Sequence, residues 1–292
     1  MTTSIPTSLL WLPESTVNTL LQYYDYPNPT KPGEIIEGYD KQHALRTAKM
    51  CAAVAQQLGH DDERVRQYQT ACLLHDMGRA GLDQDLFGKI WTWARTEGIP
   101  TRPAEWRAVH PDTTYGNETE AFWTLYLSQL KELGIETESW AKEQVEMRLG
   151  YARRLSRLIK QVEPKLKQDG IQWFDWMEQV TLYYYYPEKL DDAPSWVHEL
   201  GEILVACEQL EAYSNRERGS DYYNRNDENF IDAFNYLESL KEQGQLSEKV
   251  LTAVRSLTGQ GLFDAILSEA RDGQLSEKDL DYLRSLDTQT SA

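Results

Sequence analysis

Residues 71–81 read Ala71-Cys72-Leu73-Leu74-His75-Asp76-Met77-Gly78-Arg79-Ala80-Gly81. An apolar run closes on an imidazole and a carboxylate, and glycines follow. Tyr68, Ala71, Cys72 and His75 recur at helical spacing. The stretch therefore predicts a helix that ends near Gly78 with His75 on its apolar face. An ionisable pair at such a point is partly buried, and a buried aspartate is costly unless a cation compensates it. A metal ion supplies that charge, and imidazole with carboxylate suits iron, manganese or zinc. A helix C-terminus that favours histidine through its macrodipole accounts for His75 equally well.

Outward from this stretch, nearly everything reads as helix. The preceding segment predicts a helix over 39–58, with an apolar stripe of Leu45, Ala48, Cys51, Ala52 and Ala55 and a stop at Gly59. His43 lies on it, in line with Thr47, Met50 and Val54. Asp61 and Asp62 can cap the next helix. Pro103 opens a short helix over 103–110 that ends on His110. The highly charged stretch 118–167 fits two helices separated near Gly134. The spacing of Trp140, Val145, Leu149, Leu155, Leu158, Ile159 and Val162 suits one packed face. Further helices are expected over 173–186 and 194–213. The last holds Glu208 inside Leu204-Val205-Ala206-Cys207-Glu208-Gln209-Leu210, where a carboxylate wants a metal or an arginine.

The end of the chain repeats itself. Gly244-Gln245-Leu246-Ser247-Glu248-Lys249 recurs as Gly273-Gln274-Leu275-Ser276-Glu277-Lys278, a period of 273 − 244 = 29 residues. Each copy reads as helix, glycine turn, serine cap, helix. A helical-hairpin tail is expected, packed on the main domain or on a second copy of the chain. The organisation that follows is a segment 1–37, a helical domain 38–215 with an insertion at about 117–170, and the tail 216–292.

With 292 residues, the chain is long enough for a sizeable core. Its 30 basic and 47 acidic residues give a net charge of −17. That balance argues against DNA or RNA as a partner, and against an anionic membrane surface. No apolar run approaches the roughly 20 residues a membrane helix needs. Met1 to Pro6 shows no secretory pattern. Cys51, Cys72 and Cys207 form no metal-type pair and read as small buried thiols, so a cytoplasmic location is expected. Asp221 to Asp227 is rich in oxygen ligands but lacks the spacing of a calcium loop. His60 and His198 read as surface residues.

Taken together, a histidine on one helix, His-Asp 32 residues later and an acid on a later apolar helix resemble the HD superfamily of metal-dependent phosphohydrolases. The closer resemblance is to its HD-GYP branch, the cyclic di-GMP phosphodiesterases. Leu73-Leu74-His75-Asp76-Met77-Gly78-Arg79-Ala80-Gly81 is similar to that branch's central motif. Pro103-Ala104-Glu105-Trp106, His110-Pro111 and Gly116 follow its next motif, and Cys207-Glu208-Gln209-Leu210-Glu211-Ala212 its later helix. The resemblance implies an all-α HD-type helical bundle. It implies His43, His75, Asp76, His110 and Glu208 as ligands of one or two divalent ions, iron or manganese. Asp76 and Arg79 would serve catalysis, and Arg79 and Tyr184 would face a phosphorylated small molecule or nucleotide.

The chain departs from the branch in its second half. Thr181-Leu182-Tyr183-Tyr184-Tyr185-Tyr186-Pro187 stands where the branch has a His-His pair and Gly-Tyr-Pro. Tyr39 stands at the usual acidic position before the first histidine, with Glu37 nearby. Glu211 lies one turn beyond Glu208, so both carboxylates are candidates for one site. Three functions follow from the resemblance: a phosphohydrolase, a degenerate module that binds a nucleotide or partner protein without turnover, and an HD-type di-iron oxygenase.

Overall fold

The computed structural model describes residues 5–114, 116–135, 139–186, 190–215, 229–271 and 273–289. Pro187 and the Asp221–Asp227 stretch lie outside them. The described chain is all-α, with fourteen α-helices and one small antiparallel hairpin that pairs Tyr26–Pro27 with Ile35–Ile36. Among the described residues, no helix is long and apolar enough to cross a membrane. The chain divides into two compact units interleaved in sequence.

The first unit comprises residues 1–20, 42–75 and 174–292. It contains most of α1 (Glu14–Leu21) and of α2 (Lys41–Gln57), with α3 (Asp62–Leu73), α9 (Asp175–Leu182), α10 (Ser195–Ser214), α11 (Phe230–Glu242), α12 (Glu248–Gly259), α13 (Asp264–Glu269) and α14 (Glu277–Gln289). Helix α2 is its axis. The expected single apolar stripe is exceeded: every residue from His43 to Ala55 except Leu45 and Lys49 is buried. A helix enclosed on most sides is a central one. Helix α10 runs antiparallel to it, since His43 meets Glu211 at one end and the Cys51 thiol points at the Ile203 carbonyl at the other.

Asp61 caps α3 as expected, its carboxylate accepting from the Arg64 amide at 2.8 Å. The helix stops at Leu73, earlier than the spacing predicts. His75 therefore stands just past the helix, and its Nδ1 lies 2.7 Å from the Cys72 carbonyl oxygen. The last carbonyls of a helix have no partner within it, and a short turn that brings a ring N–H back to one of them ends the helix there. Gln69, fully buried, donates to the Leu9 carbonyl at 2.9 Å and accepts from the Trp11 amide at 2.8 Å, which fixes the N-terminal segment.

In the described part of the tail, the two copies of the repeat carry corresponding caps. Ser247 and Ser276 both cap helices, accepting from the amides of Val250 and Asp279. The first helix of the second copy is shorter, α13 against α11. Gly261, at φ +83°, blocks it where the first copy has Asp232. The first copy is tied to the core: Glu202 of α10 accepts from Ser247, and the Tyr183 hydroxyl donates to the Gln245 carbonyl at 3.2 Å. Burial and the Glu202 charge push the Tyr183 phenol up to about 12, so it remains a neutral donor.

The second unit comprises residues 21–41 and 76–173. It holds the hairpin, a 3-10 turn Met77–Arg79, and α4 (Gln84–Thr96), α5 (Pro103–Val109), α6 (Glu118–Glu132), α7 (Ser139–Leu149) and α8 (Tyr151–Gln168). The stretch 118–167 thus forms three helices where two were expected. Gly150 makes the additional break. A Cβ there would lie 2.6 Å from Thr119 Oγ1 and from Glu146 Cγ, so the chain turns at a point only glycine can occupy. Gly78 is equally confined, its absent Cβ 2.5 Å from the Tyr151 ring. Gly78→Ala should cost about 1–3 kcal/mol through overpacking. An unchanged urea midpoint would show that the ring moves aside freely.

Arg154 organises the turn after the His-Asp pair. It is fully buried and donates from Nε to the Gly78 carbonyl at 2.9 Å and from Nη2 to the Ala80 carbonyl at 2.8 Å. Its remaining charge pairs with Glu143 at 2.5 Å.

Candidate metal centre

Three helical segments of the first unit bring together His43 from α2, His75 beyond α3 and Glu208 from α10. One ligand atom from each lies within 4.8 Å of the others. Among the described residues, this is the cluster that could hold a metal ion. The rings of His43 and His75 stand 5.3 Å apart at 54°. Both imidazoles are buried, at 2% and 3% exposure.

The ring nitrogens have distinct duties. His75 Nδ1 faces a backbone carbonyl, which can only accept, so Nδ1 carries the proton. His43 Nδ1 faces the Glu211 carboxylate, which assigns the proton to Nδ1 there too. In both rings Nε2 is then the nitrogen with the lone pair. Orientation of a ligating histidine by a carbonyl or carboxylate behind it is the usual arrangement at metal sites. Two imidazoles and a carboxylate fit a divalent transition metal.

Glu208 and Glu211 are one turn apart on α10, as His43 and Arg46 are on α2, so each pair projects from one face. The structure separates their duties. Glu208 belongs to the cluster. Glu211, fully buried, accepts from Arg46 Nε at 2.7 Å and from Asn215 Nδ2 at 3.0 Å, besides His43. Neither Glu211's role nor that of Arg46, 1% exposed, is readable from spacing alone.

Residues 41–94 match the HD domain. The HD domain match begins at α2, ends within α4 and includes His43, His75, Asp76 and Arg79, which supports placing the chain in the HD superfamily. No curated protein and no solved structure matches the chain.

The other expected site residues fall elsewhere or in the second unit. Asp76, the second letter of the HD pair, is 1% exposed and lies 2.7 Å from Arg79 Nη1. Arg79 also stands 3.9 Å from Asp40, itself 1% exposed. Tyr24 receives the Asp76 amide at 3.3 Å. Burial pushes the Tyr24 phenol well up, and the Asp76 and Asp40 charges push the same way, so it stays protonated. Asp40 has no sequence signal of its own, since the position the resemblance marks as acidic falls on Tyr39, with Glu37 nearby. Glu37 is exposed and paired with Lys41. His110 ends α5 and lies against Trp106, with ring centroids 4.2 Å apart. Neither Asp76 nor His110 is a member of the three-residue cluster.

In the first unit, Tyr184 shares a hydrogen bond with Tyr236 at 3.2 Å and meets Tyr185 edge-on. Cys51, Cys72 and Cys207 are free and buried, as expected. His60 is less exposed than its sequence context suggests. It binds Glu199 at 2.9 Å, and burial holds its pKa below the usual value against the pull of that carboxylate.

Proposed function

We propose that the protein is a metal-dependent phosphohydrolase of HD type, acting on a phosphorylated small molecule or nucleotide. The observation that carries this reading is the His43–His75–Glu208 cluster, two of whose members lie in the segment matching the HD domain. His43 and His75 would hold one divalent ion, iron or manganese, through Nε2, with Glu208 offsetting its charge. Such an ion supplies Lewis acidity toward a phosphoryl oxygen and lowers the pKa of a water. Asp76 and His110 are proposed as additional ligands of a fuller site.

Arg79 is proposed to grip a phosphate oxygen. A guanidinium suits that role through its paired donors, and here it must exchange Asp76 for phosphate. Tyr184 is proposed on the substrate side. The resemblance to the HD-GYP branch motivates cyclic dinucleotides as one substrate class. The Arg79–Asp76 pair favours a second reading, a module that binds a nucleotide without turnover, because it neutralises the carboxylate internally.

The test is hydrolysis by the full chain with added Mn²⁺, using 4-nitrophenyl phosphate, bis(4-nitrophenyl) phosphate and a nucleotide panel. Activity should be abolished by a chelator and restored by Mn²⁺. Glu208→Gln should lower it at least a hundredfold. Metal-loaded protein that hydrolyses none of these would support the non-catalytic module.

A further inference from the structure

We infer that Glu211 is a positioning residue that selects which nitrogen of His43 can meet a metal ion, with Arg46 holding it in place. The inference rests on the metal reading above. The two imidazoles of the cluster are oriented by different means. His75 Nδ1 faces the main-chain carbonyl of Cys72, a partner that no side-chain substitution removes. His43 Nδ1 faces a side chain, and that side chain is held by two more donors, Arg46 Nε at 2.7 Å and Asn215 Nδ2 at 3.0 Å, both on Oε1. Glu211 and Arg46 are 0% and 1% exposed, so water does not compete for these bonds.

The division of the two carboxylate oxygens makes the inference sharp. Oε1 serves Arg46 and Asn215, and Oε2 serves His43. A glutamine has one acceptor oxygen and one NH₂ donor. Arg46 Nε–H can only donate, so the amide oxygen must turn to it. The NH₂ then faces His43 Nδ1. That nitrogen can avoid the clash of two donors only by giving up its proton, which moves to Nε2. A ring protonated at Nε2 offers no lone pair there. Glu211→Gln is therefore expected to reverse the His43 tautomer while leaving His75 as it is. The salt bridge of Arg46 to Glu269 is longer, 3.9 Å, and its acid is half exposed, so Glu269→Gln should change nothing.

The experiment uses the full chain. Long-range ¹H–¹⁵N correlation spectra resolve ring tautomers, and the chain has only five histidines. His43 is assigned by its loss in His43→Ala. The wild type should show His43 protonated at Nδ1, and Glu211→Gln should show it protonated at Nε2. Titration with Co²⁺ should give Glu211→Gln an affinity lower by roughly 10- to 100-fold at unchanged stoichiometry. An Nδ1–H tautomer and wild-type Co²⁺ affinity in Glu211→Gln would overturn the inference. So would loss of Co²⁺ binding as complete as in Glu208→Gln, which would make Glu211 a ligand. If Glu211→Gln does not fold, the wild-type spectrum still decides, because His43 protonated at Nε2 there contradicts the assignment. Failure of the wild type to take up Co²⁺ would overturn the metal reading, a result distinct from any tautomer result.

Discussion

His75→Ala is expected to weaken binding of a divalent metal at least a hundredfold while leaving the chain helical. His75 is one of three side chains whose ligand atoms come within 4.8 Å of one another. Loss of a residue that merely orients a ligand typically weakens metal affinity 10- to 100-fold. Loss of a ligand itself should exceed that, so at least a hundredfold is expected here. The stability cost is modest. His75 lies beyond the last residue of α3, so no helical hydrogen bond of that helix depends on its side chain. What is lost is the bond to the Cys72 carbonyl, worth about 1 kcal/mol, and the packing of a small ring. Calorimetric titration with Mn²⁺ beside far-UV circular dichroism checks both halves. Wild-type affinity in this variant would remove His75 from the site.

Arg154→Ala is expected to have the largest effect on stability. The guanidinium is fully buried and serves two carbonyls and one carboxylate at once. Glu143 is 30% exposed and can be rehydrated, so the cost falls mainly on the Gly78 and Ala80 carbonyls, each a buried acceptor whose loss of a donor costs about 1–3 kcal/mol. Arg154→Lys should fall between, since a single ammonium can meet Glu143 but cannot span both carbonyls. Urea unfolding reads the difference. A midpoint for Arg154→Lys equal to that of the wild type would show that the fork geometry contributes nothing.

Much of this was legible in the sequence. Local patterns located α2, α5 and α10 within a few residues, and α3 at its start. The serine caps and glycine turns of the tail follow directly from the 29-residue repeat. The ligand candidates His43, His75 and Glu208 stood out because each is an ionisable residue in an apolar context. What could not be read depends on neighbours distant in sequence. Glu208 and Glu211 share a face of α10, and only the position of α2 shows that one joins the cluster while the other supports His43 and Arg46. The break at Gly150 reflects the crowding of Thr119 and Glu146 around it, which no local pattern reports. Arg154 carries no local signal either, since its role depends on the Gly78–Ala80 turn packed against it. The early stop of α3 belongs to the same class. A longer helix would suit its apolar spacing, and the bond from His75 to the Cys72 carbonyl closes it instead.

The central claim is that His43, His75 and Glu208 hold one divalent ion. It is tested most directly by elemental analysis of the full chain purified without chelators or a histidine tag. Close to one equivalent of iron or manganese per chain is predicted, falling to background in His75→Ala. A folded protein that carries no metal, and takes up none when Mn²⁺ or Fe²⁺ is added, would contradict the account.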